Sequence, residues 1–220
     1  MNKPPIHLRV IARLMQAFFY LLYHPFAWAY DFVAAVVSIG MWNDWVMSTL
    51  PYLKGPRVLE LGHGPGHLQA ALLAGEIAAH GIDESRQMGR LARRRLRGNS
   101  PYSLANGHTQ SLPYRSEIFH QIASTFPSEY ILDARTLAEA YRVLAPGGAL
   151  VVLPTIWITG QKWMERIAAS LFRVTGQTPE WDAGWLAPFY KAGFQPHIKR
   201  ITRKSWTLLI IVAHKPLPPA

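Results

Sequence analysis

Val58-Leu59-Glu60-Leu61-Gly62-His63-Gly64-Pro65-Gly66-His67-Leu68 is the stretch whose reading sets the architecture. A short apolar run carries an acid near its end, breaks into glycines at alternate positions, and resumes in helix-forming residues to Leu73. That order reads as strand, tight turn and helix, the unit with which an open α/β sheet builds a ligand crevice at the carboxyl edge of its strands. Glycine suits such a turn because it accepts unusual φ/ψ and leaves no Cβ between backbone and ligand. The helix that follows aims free N–H groups and its positive dipole end at the crevice. A dinucleotide fingerprint, G-x-G-x-x-G, would need a glycine at 67, where this chain has His67.

The chain continues in the same alternation. Strand 57–61 and a helix to about 74 are followed by strand 77–83, which ends in Asp83, 23 residues after Glu60. An acid at that distance, on the tip of the neighbouring strand, can accept both hydroxyl protons of a ribose; the alternative is a cap for the next helix. That helix, 86–96, stops at Gly98-Asn99. Strands are expected at 102–106, at Phe119 with 121–125, and at 149–153, with a helix over 133–144 between the last two. A further helix at about 162–174, a segment 185–191, and closing strands at 196–201 and 206–213 complete the pattern.

Several of these signals resemble the class I S-adenosylmethionine-dependent methyltransferases, over about 53–214. They are E-x-G-x-G-x-G from Glu60 to Gly66, the acid at Asp83, G-x-x-x-x-L-P at Gly107-Leu112-Pro113, R-V-L-x-P-G-G from Arg142 to Gly148, and Ala192-Gly193-Phe194. The Tyr30-Asp31 pair and Phe126-Pro127-Ser128-Glu129-Tyr130 resemble the quinone-biosynthesis branch. The resemblance implies an α/β fold: a Rossmann-like seven-stranded sheet with helices on both faces, an antiparallel C-terminal strand pair and an N-terminal helical cap. It implies S-adenosyl-L-methionine as cofactor and a small, apolar or quinone-like acceptor. Cofactor contacts are expected from Glu60, Gly62, His63, Gly64, Gly66, Asp83, Glu84, His108, Thr109 and Thr125. Where the family commonly has an acid for the adenine amino group, this chain has His108. Tyr30, Phe126, Pro127 and Tyr130 are expected on the substrate side.

The transferred methyl already sits on an electrophile, so positioning and exclusion of water are the protein's main tasks. Should the acceptor need a base, Tyr130 and His24 are the candidates, with His63, His67 and His108 also available. His63 and His67 are spaced i, i+4 but straddle the glycine turn without a third ligand, so no metal is expected.

Length and composition suit one α/β domain: 220 residues, half of them apolar. Absence of cysteine excludes disulfides and thiolate chemistry. A net charge of +10 favours an anionic partner or surface, or simply solubility. The arginine run at 90, 93, 94, 95 and 97 falls on one helix and reads most simply as a solvated face. No N/D-P-P-Y/F motif and no appended basic module accompany it, so a nucleic-acid substrate is not expected.

The N-terminal fifty residues are unusual in having no Asp, Glu, Lys or Arg from Leu14 to Tyr30. A basic start and an apolar run imitate a signal peptide, but a cofactor-dependent domain follows at once, so a cytoplasmic protein is expected, peripheral at a membrane if the aromatics reach one. Pro25 and Asp31 interrupt the run needed for a spanning helix. Two shorter helices, about 8–23 and 27–41, fit better, either as a cap over the crevice or as a cap that also touches an anionic membrane interface. The expected organisation is therefore cap 1–52, cofactor domain 53–214 with an insertion at about 155–184, and a frayed tail 215–220. A non-catalytic, membrane-associated partner protein of methyltransferase shape is the alternative. Nothing in the sequence addresses the oligomeric state.

Overall fold

The computed structural model describes residues 30–99, 102–160 and 183–218, together with Leu21 and Phe26. Within them the elements run α1 (Tyr30–Ser38), α2 (Trp42–Met47), β1 (Arg57–Leu61), α3 (His67–Ala74), β2 (Ala78–Asp83), α4 (Arg86–Arg95) and β3 (Tyr102–Asn106). They continue as β4 (Phe119–Thr125), α5 (Ala134–Val143), β5 (Leu144–Ile158), α6 (Ala187–Lys191), β6 (Gln195–Thr202) and β7 (Trp206–His214).

The seven strands form one sheet in the order β3-β2-β1-β4-β5-β7-β6. The first five are mutually parallel, while β7 runs antiparallel to both β5 and β6. The chain reverses its direction of travel across the sheet between β1 and β4, so a crevice opens beyond the carboxyl ends of that pair. Alternation along each strand feeds two cores. Val58, Ala123, Val151 and Ile210 face one side with Trp45 of α2 and Leu68 and Leu72 of α3. Leu59, Ile122, Val152 and Ile211 face the other with Leu137 and Val143 of α5, Phe189 and Phe194. The seven-stranded sheet with helices on both faces and an antiparallel C-terminal pair is the fold the sequence reading anticipates.

Three boundaries differ from that reading. The expected helix 27–41 ends at Ser38, because Ile39 and Gly40 adopt φ of 54° and 75° and Gly40 N–H turns back to Ala35 C=O. A separate helix, α2, then starts where Ser38 Oγ accepts from Trp42 N–H. Strand β5, expected over 149–153, starts already at Leu144 and runs past 153 to Ile158, through Pro154. Proline is tolerated there because the β5–β7 pairing shifts register between Val152 and Thr155, where no ladder hydrogen bond depends on its missing N–H. An insertion at 155 would therefore begin no earlier than the end of this strand; the helix expected at 162–174 lies outside the described residues. Lys215, read as the start of a frayed tail, is 7 % exposed, and its ammonium donates to Glu117 and to the carbonyls of Tyr141 and Leu144. The expected helix 8–23 also lies outside the described residues. No helix among those described is long and apolar enough to cross a membrane.

Candidate functional site

The crevice at the β1/β4 switch point is a cleft, and its floor is the glycine turn. Gly62 N–H donates to Ile82 C=O at 2.8 Å, which ties the turn to β2. Gly64 N–H donates to Asp83 Oδ2 at 2.8 Å, and Ser85 N–H to Oδ1 at the same distance. Asp83 thus braces the turn and the entry to α4 with one lone pair of each oxygen, and its carboxylate still lines the cleft. The N-cap proper is Ser85, whose Oγ accepts from Met88 N–H.

Two of the glycines are forced by neighbours. A Cβ on Gly62, at φ +71°, would lie 2.6 Å from Tyr130 Oη. A Cβ on Gly66, at φ +85°, would lie 3.0 Å from Ala92 Cβ on α4. Gly64 instead opens onto the cleft.

The other side of the cleft comes from the ends of β3 and β4. Gly107, His108, Thr109 and Gln110 follow β3; Thr125 ends β4 and runs into Phe126, Pro127 and Ser128. Thr109 Oγ1 meets Thr136 Oγ1 of α5 at 2.9 Å. Arg142 steadies the loop beyond it by donating to the carbonyls of Leu112 and Tyr114 while paired with Glu139 at 2.7 Å. Phe126 is held at φ +47°, rare for an aromatic residue, with its N–H on Leu153 C=O. Its ring stacks on Trp42 at 4.4 Å, and Trp42 meets Tyr30 edge-on at 6.0 Å. An aromatic wall from α1, α2 and the β4 exit therefore faces the glycine turn.

Of the residues anticipated from the sequence, Gly62, Gly64, Asp83, Glu84, His108, Thr109 and Thr125 line the cleft, as do Tyr30, Phe126, Pro127 and Tyr130. Glu60, His63 and Gly66 do not. Glu60 is 2 % exposed beneath the turn and accepts from Gln69 Nε2 at 2.8 Å; burial pushes its carboxyl up to about 8. His63 is 3 % exposed, packed against Gly81. Its Nδ1 lies 2.7 Å from Gly64 C=O, so Nδ1 carries the proton, and burial holds the ring below the usual histidine range. His67 turns away to Asp31. Tyr130 Oη donates to Leu61 C=O at 2.9 Å and touches Ser124 Oγ, which commits the hydroxyl to the strand end. Of the histidines considered as bases, His108 alone reaches the cleft among the described residues; it sits at the rim, 3.4 Å from Glu84 Oε2. His24 lies outside the described residues.

Ile82, Ser85, Met88, Gly107, Gln110 and Ser128 also line the cleft but were not anticipated as contacts. All but Met88, which lies one helical turn further along α4, flank a residue that was, so motif neighbours were the available signal.

The cleft lining contains Asp83 and Glu84 but no Lys or Arg among the described residues, in a chain of net charge +10. Such a lining suits a ligand that carries positive charge and exposes hydroxyls, and it disfavours a diphosphate.

Comparison with known proteins agrees with this geometry. A family model described as a methyltransferase domain matches residues 58–148. A demethylmenaquinone methyltransferase of Clavibacter sepedonicus is 28 % identical over 157 residues, covering 66 % of this chain and 64 % of that protein. A ubiquinone/menaquinone biosynthesis C-methyltransferase of Psychromonas ingrahamii is 33 % identical over 146 residues, covering 60 % and 57 %. The chain thus spans about six tenths of the length of these relatives. Among solved structures, a methyltransferase of Thermotoga maritima described as a possible histamine N-methyltransferase superposes with a TM-score of 0.61 at 19 % identity, covering 89 % of this chain and 98 % of that one. A geranyl diphosphate C-methyltransferase from Streptomyces coelicolor gives 0.59 at 15 % identity, covering 78 % of each. These structural likenesses are of fold. With the motifs and the strand order in agreement, residues 58–148 carry a methyltransferase domain, and the fold is that of the class I S-adenosylmethionine-dependent methyltransferases.

Proposed function

We propose that the protein binds S-adenosylmethionine in the β1/β4 cleft and methylates a small, apolar, quinone-like acceptor. The observation that carries the cofactor part is the cleft's chemistry: acids and backbone amides with no Lys or Arg among the described residues, around a turn whose Gly64 opens onto the cavity. Those residues fit a cationic ligand with a ribose. Asp83 would accept the ribose hydroxyls from the lone pairs that the turn leaves free. Gly62 and Gly64 would face the amino-acid portion, and Met88, Gly107 and Thr109 would flank the base. His108 would lie at the adenine edge. Glu60, being buried and neutral over much of the physiological range, would order the turn from beneath.

When bound, S-adenosylmethionine supplies an electrophilic methyl group, so catalysis rests on alignment of the acceptor and exclusion of water. Tyr30, Phe126 and Pro127 would do both by packing an apolar ring system against the cleft. The quinone-like class is favoured by the relatives' names and by this aromatic wall. If the acceptor needs deprotonation, the Tyr130 hydroxyl is already occupied by Leu61, and His108 would be engaged at the adenine edge.

On this reading residues 53–214 with Lys215 form the cofactor domain, and α1, whose Tyr30 lines the cleft, caps it; residues 1–20 of the expected cap lie outside the described residues. Exposed Phe32 and Val36 on α1 are where a peripheral membrane contact would form. The test is calorimetric titration with S-adenosylhomocysteine. Wild type is expected to bind at micromolar concentration, and Asp83→Ala to weaken binding at least tenfold, through loss of hydroxyl contacts worth about 1.5–3 kcal/mol to a charged acceptor. A folded wild type that does not bind would overturn the enzyme reading in favour of a non-catalytic partner protein.

A further inference from the structure

Helix α1 supplies a wall of the cleft, yet it is weakly held. Phe32 and Val36 are exposed, and none of its described side chains enters either hydrophobic core; Ser38 at its end is buried. The positive-φ pair Ile39-Gly40 separates it from α2, and a side chain at Gly40 would meet nothing within 4 Å. The wall is therefore joined to α2 through a tight turn of its own.

Its other end carries a carboxylate bridge beside the contact of Tyr30 with Trp42. Asp31 Oδ1 lies 2.9 Å from His67 Nε2, at the first residue of α3, and Oδ2 lies 2.5 Å from Arg95 Nη2, at the last residue of α4. Arg95 Nη1 in turn donates to the carbonyl of Pro65 inside the glycine turn. The hydrogen bond from His67 and the charge of Arg95 hold the Asp31 carboxyl below the usual range, against an opposing effect of burial. The bridge joins segments 36 and 64 residues apart. It reaches the outer side of the same turn that Asp83 braces from within. Tyr30, the residue beside Asp31, lines the cleft.

We propose that Asp31 is a positioning residue: its bridge latches α1 across the glycine turn, seats Tyr30 over the cleft, and so controls release of the cofactor. This rests on the cofactor reading above. An open latch leaves the binding groups of β1, β2 and β3 in place but removes one wall, so it acts on departure of the ligand more than on the presence of the site. All three side chains are partly exposed, at 27 % for His67 and Arg95 and 49 % for Asp31, so screening limits the effect to severalfold.

The test compares wild type, Asp31→Asn and Asp31→Glu. Dissociation of S-adenosylhomocysteine is followed by stopped-flow displacement, and amide hydrogen exchange is followed in the ligand-free proteins. Asp31→Asn is expected to speed dissociation roughly three- to tenfold. It should also raise exchange in 30–38 while leaving β1, β4 and β5 unchanged, and Asp31→Glu should recover part of both. Faster exchange with an unaltered dissociation rate would reduce the bridge to a structural tie and overturn the proposal. If wild type binds no S-adenosylhomocysteine, the cofactor reading fails and the control of release assigned to Asp31 falls with it. Unchanged exchange in 30–38 in Asp31→Asn would refute the latch independently of any ligand.

Discussion

Replacing Glu60 by Gln should make the protein more stable as pH rises, although it removes an acid from the most recognisable motif in the chain. The Glu60 carboxyl is buried at the end of β1, and burial raises it from 4.5 to about 8, with the Asp83 charge adding to the rise and the Gln69 hydrogen bond opposing it. Between those two values the folded state holds a proton that the unfolded chain has released. Stability therefore falls with increasing pH through this window, by about 1.4 kcal/mol per pH unit from this group, and the loss saturates above pH 8. The full window is worth at most about 5 kcal/mol, a large share of the stability of an ordinary domain. Glutamine keeps the size and an oxygen for Gln69 Nε2 but has no proton to lose. It also brings a donor next to Gln69 Oε1, which is buried without a partner.

The assay is urea unfolding of wild type and Glu60→Gln at intervals from pH 5 to 9, with m-values checked for constancy. The stability difference is the useful quantity, since His63, His80 and Asp31 titrate alike in both proteins and cancel. It is expected to move in favour of the variant by up to about 4 kcal/mol between pH 5 and 8.5. Parallel stability curves across that range would refute the reasoning, because they would mean that Glu60 loses its proton in the folded protein as readily as in the unfolded one.

Gly62→Ala should cost roughly 2–4 kcal/mol, from a left-handed φ together with a Cβ placed 2.6 Å from Tyr130 Oη. Tyr130→Phe alone should cost about 1 kcal/mol, for the bond to Leu61, yet recover part of the Gly62→Ala loss in the double variant; strictly additive losses in thermal or urea unfolding would contradict the contact. Glu84→Gln should weaken binding of cationic sinefungin about two- to threefold more than that of S-adenosylhomocysteine, with the difference vanishing at 0.5 M salt because Glu84 is 66 % exposed. Equal weakening of both ligands at every salt concentration would remove Glu84 from the cleft's electrostatics.

The sheet was legible because 58–61, 149–153 and 208–213 are near-continuous apolar runs, with Gly62 and Asp83 marking the ends of β1 and β2, and strands buried on both faces demand that pattern. The cleft was legible for the same reason: its lining follows strand ends, and strand ends are marked by Gly62, Asp83, Gly107 and Phe126. Depth was harder to read. Glu60 and His63 belong to the motif, yet the period of two in β1 turns the Glu60 side chain beneath the turn, and the loop closes over His63. Helix α2 was hidden inside a longer apolar stretch, where only Gly40 signalled a break and Trp45 gave no sign that it would be fully buried. Pro154 suggested a strand end, but a bulge absorbed it. The Asp31 bridge had no sequence signal at all, since it joins three segments whose adjacency exists only in the folded chain.

Net charge misleads about the ligand unless its placement is known. A chain at +10 invites an anionic substrate, and the glycine turn ahead of α3 would serve a phosphate well. The fold separates these tendencies. Arg86, Arg90, Arg93, Arg94 and Arg97 project from α4 and the residues after it to solvent, and Arg95 is consumed by Asp31 and Pro65. Within the cleft, Asp83 already occupies Gly64 N–H, so an amide of the turn that could meet a phosphate is spent on a carboxylate that then faces the cavity itself. A diphosphate entering there would meet two acids and a partly satisfied turn, whereas a sulfonium or ammonium would meet compensating charge. The same three-glycine turn that could cradle phosphates is thus converted, by one acid at the end of β2, into a seat for a cation.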